Sequence, residues 1–322
     1  MNKIVLVFIT LYHFCLSAQS FAPAAEEPGS TAIFKDSNIF VLWADGVDIV
    51  RGFKDISEEF QGYASYGLPE NALGAAEGDG TSIVSLGDGG IATLTFPGLI
   101  WNGPGPDFAI FENGFADNYM ELGHVEVSSD GINFYRFPSV SETPIDIQIT
   151  NFTFGDCRYV NNLAGKYRQG FGTPFDLEDI SININLDVNN ITHVRIIDVV
   201  GSINPLYGTV DGAGNSINDP FSTPWESSGF DLDAVGVINS QPLKLEMESL
   251  IYSLYPNPSN DFIHLVTESF GELRILDLSG RVLSRYKFNK NLLVDLSMFE
   301  AQILLFEISS SENKMVQRII KN

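Results

Sequence analysis

Val125-Glu-Val-Ser-Ser-Asp-Gly-Ile-Asn-Phe-Tyr135 is the stretch that indicates the fold most directly. A short apolar run precedes Asp130-Gly131 and another follows it. This dipeptide favours a tight turn, because both residues tolerate the backbone angles that a hairpin requires. We expect Phe134 to pack inward from the returning strand. The stretch therefore predicts a β-hairpin.

Similar short apolar runs recur on both sides of this hairpin, separated by Gly, Asn and Asp. No helix-period pattern longer than about ten residues stands out. Runs of this length between turn residues are typical of strands in a two-sheet sandwich. We therefore expect residues 30–240 to form a jelly-roll-type β-sandwich. The expected strands are 39–43, 83–86, 91–96, 108–111, 125–127, 134–137, 145–149, 180–186, 194–200 and 232–238.

The charge of the chain changes near residue 245. The 322 residues carry 41 acids and 18 bases, a net charge of −23. Residues 250–322 contribute 8 acids and 8 bases, so the whole imbalance belongs to the first part. We expect a linker at 241–251. The strong negative charge argues against nucleic acid and against an anionic lipid surface as partners, since both require a basic footprint.

The last 70 residues have a pattern of their own. Leu254-Tyr-Pro-Asn-Pro-Ser259 predicts an extended lead-in and a turn. Ser279-Gly280 predicts a hairpin turn, and six or seven short strands are expected in all. A small immunoglobulin-like β-sandwich fits this pattern. The chain is thus predicted to be all-β, a jelly-roll-type sandwich followed by an immunoglobulin-like one.

These tail motifs resemble the C-terminal sorting domain of type IX secretion. The resemblance covers about 252–322 and is carried by the turn, the hairpin and the basic end. It implies that the type IX secretion machinery is a partner, and that the protein is secreted or held on the outer surface of a Bacteroidetes-like bacterium. The motif residues are Tyr255, Pro256, Asn257, Pro258, Gly280 and Lys321.

Two motifs of the acidic part also resemble known modules. The hairpin at 125–135 is similar to one found in discoidin-like modules, and Gly229-Phe-Asp-Leu-Asp-Ala-Val235 is similar to a stretch of an exported bacterial cell-surface domain. Together these resemblances imply a lectin-like or carbohydrate-binding jelly roll.

The N-terminus has the layout of a secretory signal peptide at 1–18. A basic start is followed by an apolar run from Ile4 to Leu16 and by small residues before the expected cleavage after Ala18. No integral membrane segment is expected in the mature chain. Cleavage would remove Cys15 and leave Cys157 as the single cysteine, which we expect to be a buried thiol.

Calcium is the cofactor that the acidic part suggests. Asp231 and Asp233 are two residues apart on a predicted strand, where they would share a face and repel one another without a cation. Bases are scarce nearby, which favours a metal ion held by oxygen ligands. The candidate ligands come from three oxygen-rich segments of the chain. They are Asp107, Glu112, Asn113, Asp211, Asn215, Asp219, Asp231 and Asp233.

Tryptophans suggest where a sugar would stack. Trp101 and Trp225 lie in predicted loops, whereas Trp43 ends an apolar run and is expected in the core. We expect a non-enzymatic, surface-displayed binding or adhesion module, calcium-stabilised, with extracellular glycan as its ligand class. One alternative is a secreted polysaccharide hydrolase that uses Glu112 with Asp107 or Asp231. The other is a structural surface protein without a ligand.

Overall fold

The computed structural model describes residues 21–242, 252–310 and 314–322. The predicted signal peptide and most of the predicted linker lie outside these residues. The chain divides into two compact units, Met1–Leu243 and Lys244–Asn322. Regular structure in the described residues is almost entirely β, which confirms the all-β prediction. None of the helices in this part of the chain is long and apolar enough to cross a bilayer.

The first unit is built from short strands and 3-10 helices. The helices are Ile56–Gln61, Pro69–Ala72, Cys157–Tyr159 and Leu177–Ile180. The strands are β1 (Ile33–Phe34), β2 (Leu42–Trp43), β3 (Gly46–Val50), β4 (Val84–Ser85), β5 (Ile91–Ile100), β6 (Phe108–Glu112), β7 (Gly123–Ser128), β8 (Tyr135–Arg136), β9 (Val140–Ser141), β10 (Val160–Asn161), β11 (Phe171–Phe175), β12 (Ile191–Asp198), β13 (Asp231–Val237) and β14 (Ser240–Pro242).

Two antiparallel sheets form the framework of this unit. One has the order β1-β11-β6-β13-β2, with β4 also paired to β13. The other has the order β14-β5-β12-β7-β8, with β3 also paired to β5. A single apolar cluster joins Leu94 and Ile196 of the second sheet to Phe108 and Val235 of the first. The two sheets therefore enclose one core, as in a β-sandwich.

The hairpin at 125–135 forms as predicted, but one side chain points elsewhere. Val127 on β7 pairs with Tyr135 on β8, and the Asp130 carboxylate accepts the backbone N–H groups of the turn. Phe134 was predicted to pack inward. Its ring instead lies 3.3 Å from the guanidinium of Arg195 and outside the core cluster. The cation–π contact accounts for an aromatic ring on the outer face.

Two of the predicted strands do not form. In 180–186 the alternating isoleucines suggested a half-buried strand, yet Ile182 and Ile184 are exposed on consecutive turns. In 145–149 the chain is irregular because the Gln148 amide donates to backbone carbonyls of a neighbouring loop. Apolar alternation was therefore misleading where no adjacent strand was available for pairing.

The second unit is a curled antiparallel sheet with its own core. Its strands are β15 (Tyr252–Tyr255), β16 (Phe262–Leu276), β17 (Val282–Asp295), β18 (Gln302–Ser309) and β19 (Lys314–Lys321). Four of the short strands expected here merge into the two long strands β16 and β17. A register shift between Val266 and Phe270 interrupts this long hairpin. β15 pairs with the first half of β16 and β18 with the second half, so that the sheet curls around its core.

Candidate ligand pocket

A pocket of about 440 Å³ opens at one end of the first sheet. Its volume is in the range of small-molecule sites. Acidic, amide and aromatic side chains line it, among them Asn113, Tyr119, Glu121, Phe152, Trp225 and Asp231. Another pocket, of about 520 Å³, is lined by acids that pair with arginine, as Asp117 does with Arg168.

Strand pairing explains why Asp231 lies beside a second acid, Glu112. β6 and β13 run antiparallel with Leu232 opposite Glu112, which places Asp231 beside Glu112 at the shared end of the two strands. Glu121 comes from the loop that leads into β7. Phe115 and Tyr119 come from the same loop as Glu121, and Phe152 and Trp225 come from two further loops, so that residues distant in the sequence surround one opening.

Glu112 lies behind the pocket and is fully buried. Its Oε2 accepts the Gly114 N–H at 2.7 Å, while its Oε1 has no hydrogen-bond partner among the described residues. Burial raises the pKa of Glu112 well above its ordinary value, and the neighbouring Asp231 raises it further. A carboxyl in such surroundings favours the protonated form.

Glu121 reaches the pocket from a buried position. The residue is only 8% exposed, and it is one of the residues that line the pocket. Burial raises the pKa of Glu121 well above its ordinary value, and Asp231 and Glu112 add to the effect. Burial, with Glu121 as the next cause, also raises the pKa of Tyr119.

Asp231 completes the acidic floor. Burial raises its pKa to about 7, although Ser85, Asn113 and Arg51 act in the opposite direction. Its Oδ1 has no hydrogen-bond partner among the described residues. Three desolvated carboxyls that repel one another cannot all be ionised at neutral pH without a cation. The floor of the pocket therefore either holds protons or attracts positive charge.

Aromatic rings form the mouth of the pocket. Trp225 is 61% exposed and Phe152 is 88% exposed. Phe115 stacks on Tyr119 with ring centroids 4.4 Å apart. Exposed rings beside polar groups are typical of sites that stack on the apolar face of a sugar.

Of the two loop tryptophans predicted to stack on a sugar, only Trp225 lines this pocket. Trp101 is half-buried and follows β5, where its N–H donates to the carbonyl of Asn239. Trp43 is half-buried against Phe40 and Phe111, as a packing role requires.

The predicted calcium loops do not come together. Asp107 precedes β6 and Glu112 ends it, so the strand separates them by about 16 Å at roughly 3.3 Å per residue. The Asp107 carboxylate accepts the N–H groups of Gly103 and Leu177 at 2.8 Å each. It thus holds two loop ends together, far from Asp231.

The other candidate ligands also have backbone partners. The Asp211 carboxylate accepts the N–H groups of Ser141, Ala213 and Asn215, and the Asn215 side chain donates to it as well. Asp219 accepts the N–H of Leu122 at 2.9 Å.

Asp233 accepts the N–H groups of Glu77 and Gly78, and a register shift in β13 separates it from Asp231. In the described residues, no three His, Cys, Asp or Glu side chains are grouped as a metal ion would require.

Sequence reasoning missed several pocket residues. Glu121 and Tyr119 lie in Tyr119-Met-Glu-Leu122, which carries no recognisable motif. Their role depends on burial beside strands that are distant in sequence. Cys157 is buried, as expected, and burial raises the pKa of its thiol.

The sorting motif of the second unit joins the two ends of that unit. Pro256 and Pro258 each follow a cis peptide bond. Between them, the Asn257 side chain donates to the Arg318 carbonyl and accepts the Ile320 N–H, both at 2.9 Å. The Pro-Asn-Pro turn is thereby fixed to the last strand.

The remaining motif residues have structural partners as well. Tyr255 stacks on His264 with ring centroids 5.4 Å apart. Gly280 has a φ of 85°, which its hairpin turn requires and which glycine adopts without strain. The Lys321 side chain is 9% exposed, and its ammonium donates to the carbonyl of Asn322.

Residues 253–322 match the family of the secretion system C-terminal sorting domain. This domain indicates a secreted or cell-surface protein, and it implies the secretion machinery as a partner.

Comparisons with whole proteins add little. No curated protein matches the chain. Among solved structures, a β-glucuronidase from Ruminococcus gnavus in complex with D-glucaro 1,5-lactone is similar over 90% of this chain and 46% of its own, at 10% identity and a TM-score of 0.26. The BSP domain of a biofilm associated protein is similar over 89% of this chain and 53% of its own, at 10% identity and a TM-score of 0.22. The chain thus spans about half the length of these structures.

Proposed function

We propose that the protein is a non-enzymatic binding module, displayed on the surface of a Bacteroidetes-like bacterium by type IX secretion, and that its pocket binds extracellular glycan. The observation that carries the proposal is the exposed Trp225 ring at the mouth of a pocket whose floor contains unpartnered carboxyl oxygens. A sugar needs both features, because one of its faces is apolar and its hydroxyl groups donate hydrogen bonds.

Glycan-array binding of the wild type and two tryptophan variants tests this proposal. Trp225→Ala should abolish or strongly weaken the signal, since stacking at the mouth is lost. Trp101→Ala is the matched control, because Trp101 lies outside the pocket, and it should bind like the wild type. A blank array for the wild type would favour the ligand-free structural protein, and equal losses in both variants would contradict the assignment of the pocket.

A hydrolase acting on polysaccharide is the second candidate. Carboxyls with raised pKa values at a pocket are typical of catalytic acids. Asp231 lines the pocket, and Glu112, which is buried behind it, has a raised pKa as well. Asp107 lies at the other end of the sheet and cannot act together with these two acids. Release of reducing sugar that is lost in Glu112→Gln would establish this function in place of simple binding. A binding module releases none.

Calcium binding stays a prediction. The first part of the chain carries the whole net negative charge, and Ca²⁺ prefers oxygen ligands such as carboxylates. Thermal melts with EDTA and with added Ca²⁺ should differ by several degrees if calcium binds the folded state, since ligand at about 100 times its Kd stabilises by roughly 2.7 kcal/mol. Identical curves would remove calcium from the account.

A further inference from the structure

The pocket has charge of one sign only. Glu121 and Asp231 are part of its lining, and no basic side chain is found among the described residues that line it. Both residues are more than nine-tenths buried, and Oδ1 of Asp231 has no hydrogen-bond partner among the described residues. A ligand that enters the pocket therefore meets carboxyl groups and no basic side chain among the described lining residues.

The nearest arginines are occupied by other partners. Arg51 faces Asp231, but its N–H groups donate to the backbone carbonyls of Tyr66, Gly67 and Ser85. Arg168 precedes a lining residue and forms ion pairs with Asp117 and Glu26. Arg51 thus acts on Asp231 only through its charge, which lowers the pKa of Asp231, and the charge of Arg168 is balanced by two carboxylates.

The aromatic rings at the mouth attract positive charge, as the carboxyl groups of the floor do. Trp225, Phe152 and the stacked pair Phe115–Tyr119 surround the opening. The faces of aromatic rings carry negative potential and attract ammonium groups within about 6 Å. A cation approaching the acids would thus be attracted along its whole path.

We propose that the pocket selects saccharides that carry a free ammonium group, such as a de-N-acetylated amino sugar, over N-acetylated sugars and uronic acids. This inference rests on the proposed glycan-binding function and names its ligand class. The ammonium group would donate to Glu121 and Asp231 while the sugar ring stacks on Trp225. A uronic acid would place its own carboxylate against the buried carboxyl groups of the floor, and the repulsion between these groups would strongly disfavour binding.

An ammonium ligand fits this pocket better than a bare divalent ion. Aromatic rings supply no oxygen ligands, and the described acids are not grouped with the geometry of a metal site. An ammonium group requires only two or three acceptors, which Glu121 and Asp231 can supply.

Proton release gives the inference an additional readout. A bound cation favours the ionised form of the floor carboxyls, so binding should expel protons into the buffer when it is measured at about pH 6, where the sugar amine is already protonated in solution. The titratable groups that face Glu121 are Asp231, Glu112, Asp219, Asp198 and Tyr119. N-acetylated sugars, which are uncharged, should release no protons.

Isothermal titration of the full chain with two oligosaccharides of equal length tests the inference. The probes are a glucosamine oligomer and the corresponding N-acetylglucosamine oligomer, each titrated in two buffers of different ionisation enthalpy. We expect the glucosamine oligomer to bind at least about tenfold more tightly, a difference of about 1.4 kcal/mol, and to release protons.

Two variants separate charge recognition from stacking. Glu121→Gln keeps the shape of the side chain and should remove most of the preference for the amine. Trp225→Ala should weaken both oligomers by a similar factor and leave the preference in place. Its folding can be checked independently by a thermal melt.

The outcomes separate this inference from the proposed function. Equal affinity of the two oligomers for the wild type, or unchanged preference in Glu121→Gln, would overturn the ammonium inference but leave glycan binding intact. A wild type that binds neither oligomer nor any sugar on the array would end both. Ca²⁺ alone stabilising the wild type but not Glu121→Gln would show that the floor takes a metal ion, which would also overturn the inference.

Discussion

Asp231→Asn should stabilise the first unit at pH 8 and leave its stability unchanged at about pH 4. Burial raises the pKa of Asp231 from 3.8 to about 7 in the folded protein. A raised pKa means that the folded state binds the proton more tightly than the unfolded state. The stability linked to this group is therefore complete below the unfolded pKa and is lost as the pH rises towards 7.

The size of the effect follows from the shift. A change from 3.8 to about 7 corresponds to at most about 4 kcal/mol at pH 8, because one pKa unit is worth about 1.4 kcal/mol. Asparagine resembles the protonated acid and carries no charge at any pH, so the variant avoids this cost. It also removes a charge that repels Glu112 and Glu121, which acts in the same direction.

Urea unfolding followed by tryptophan fluorescence measures this difference. Trp43, Trp101 and Trp225 all lie in the first unit, so the tail contributes no tryptophan signal. Unfolding is measured in EDTA at about pH 4, 6 and 8, where the difference between variant and wild type should grow with pH over the range in which the group titrates.

Asp130→Asn provides the matched control with the opposite sign. Its exposed carboxylate accepts backbone N–H groups in the hairpin turn, which hold its pKa below the ordinary value. A group whose pKa is lowered in the folded state stabilises the protein above its unfolded pKa, and this stabilisation is lost as the pH falls. Asp130→Asn should therefore be less stable than the wild type at pH 8 and equally stable in strong acid. If Asp231→Asn follows the wild type at every pH, or is less stable at pH 8, Asp231 is ionised with a partner in the folded protein and the reasoning is refuted.

Three further substitutions test the assignment of packing and pocket roles. Trp43→Ala should lower stability by about 2 kcal/mol because it removes a half-buried ring, whereas Trp225→Ala should change stability by less than about 0.5 kcal/mol, and calorimetry of the two variants checks this order. A larger loss for Trp225→Ala would mean that its ring supports the fold. Gly201→Ala should destabilise the first unit by about 1–3 kcal/mol, because the new methyl group would overlap the Asp219 carboxylate and disturb its bond to the Leu122 N–H. Urea unfolding measures this loss, and a variant as stable as the wild type would show that the loop adjusts freely.

Much of the fold was predictable because local patterns determined it. The Asp130-Gly131 turn and the Ser279-Gly280 turn both occur where the sequence indicated them, since such turns depend on a few residues only. The prediction of a strand at 180–186 was wrong, because alternating apolar residues do not by themselves provide a neighbouring strand to pair with. The length of β16 and β17 was not predictable, since it depends on continuous pairing across a register shift.

The candidate site was only partly predictable. Asp231, Glu112 and Trp225 were identified as chemically interesting, but Asp107 and Asp211 were grouped with them on composition. Strand order decides which of these acids meet, and the pairing of β6 with β13 is a contact between residues about 120 positions apart. Glu121 was missed because a single glutamate in a loop has no local signal, and its importance comes from burial alone.

A crystal structure of the protein with a bound glucosamine oligosaccharide tests the central claim most directly. The account predicts a sugar ring stacked on Trp225, with its ammonium nitrogen within hydrogen-bond distance of Glu121 or Asp231. A ligand that binds with measurable affinity but lies elsewhere on the protein, or that places an acetyl or carboxylate group against these two acids, would contradict it.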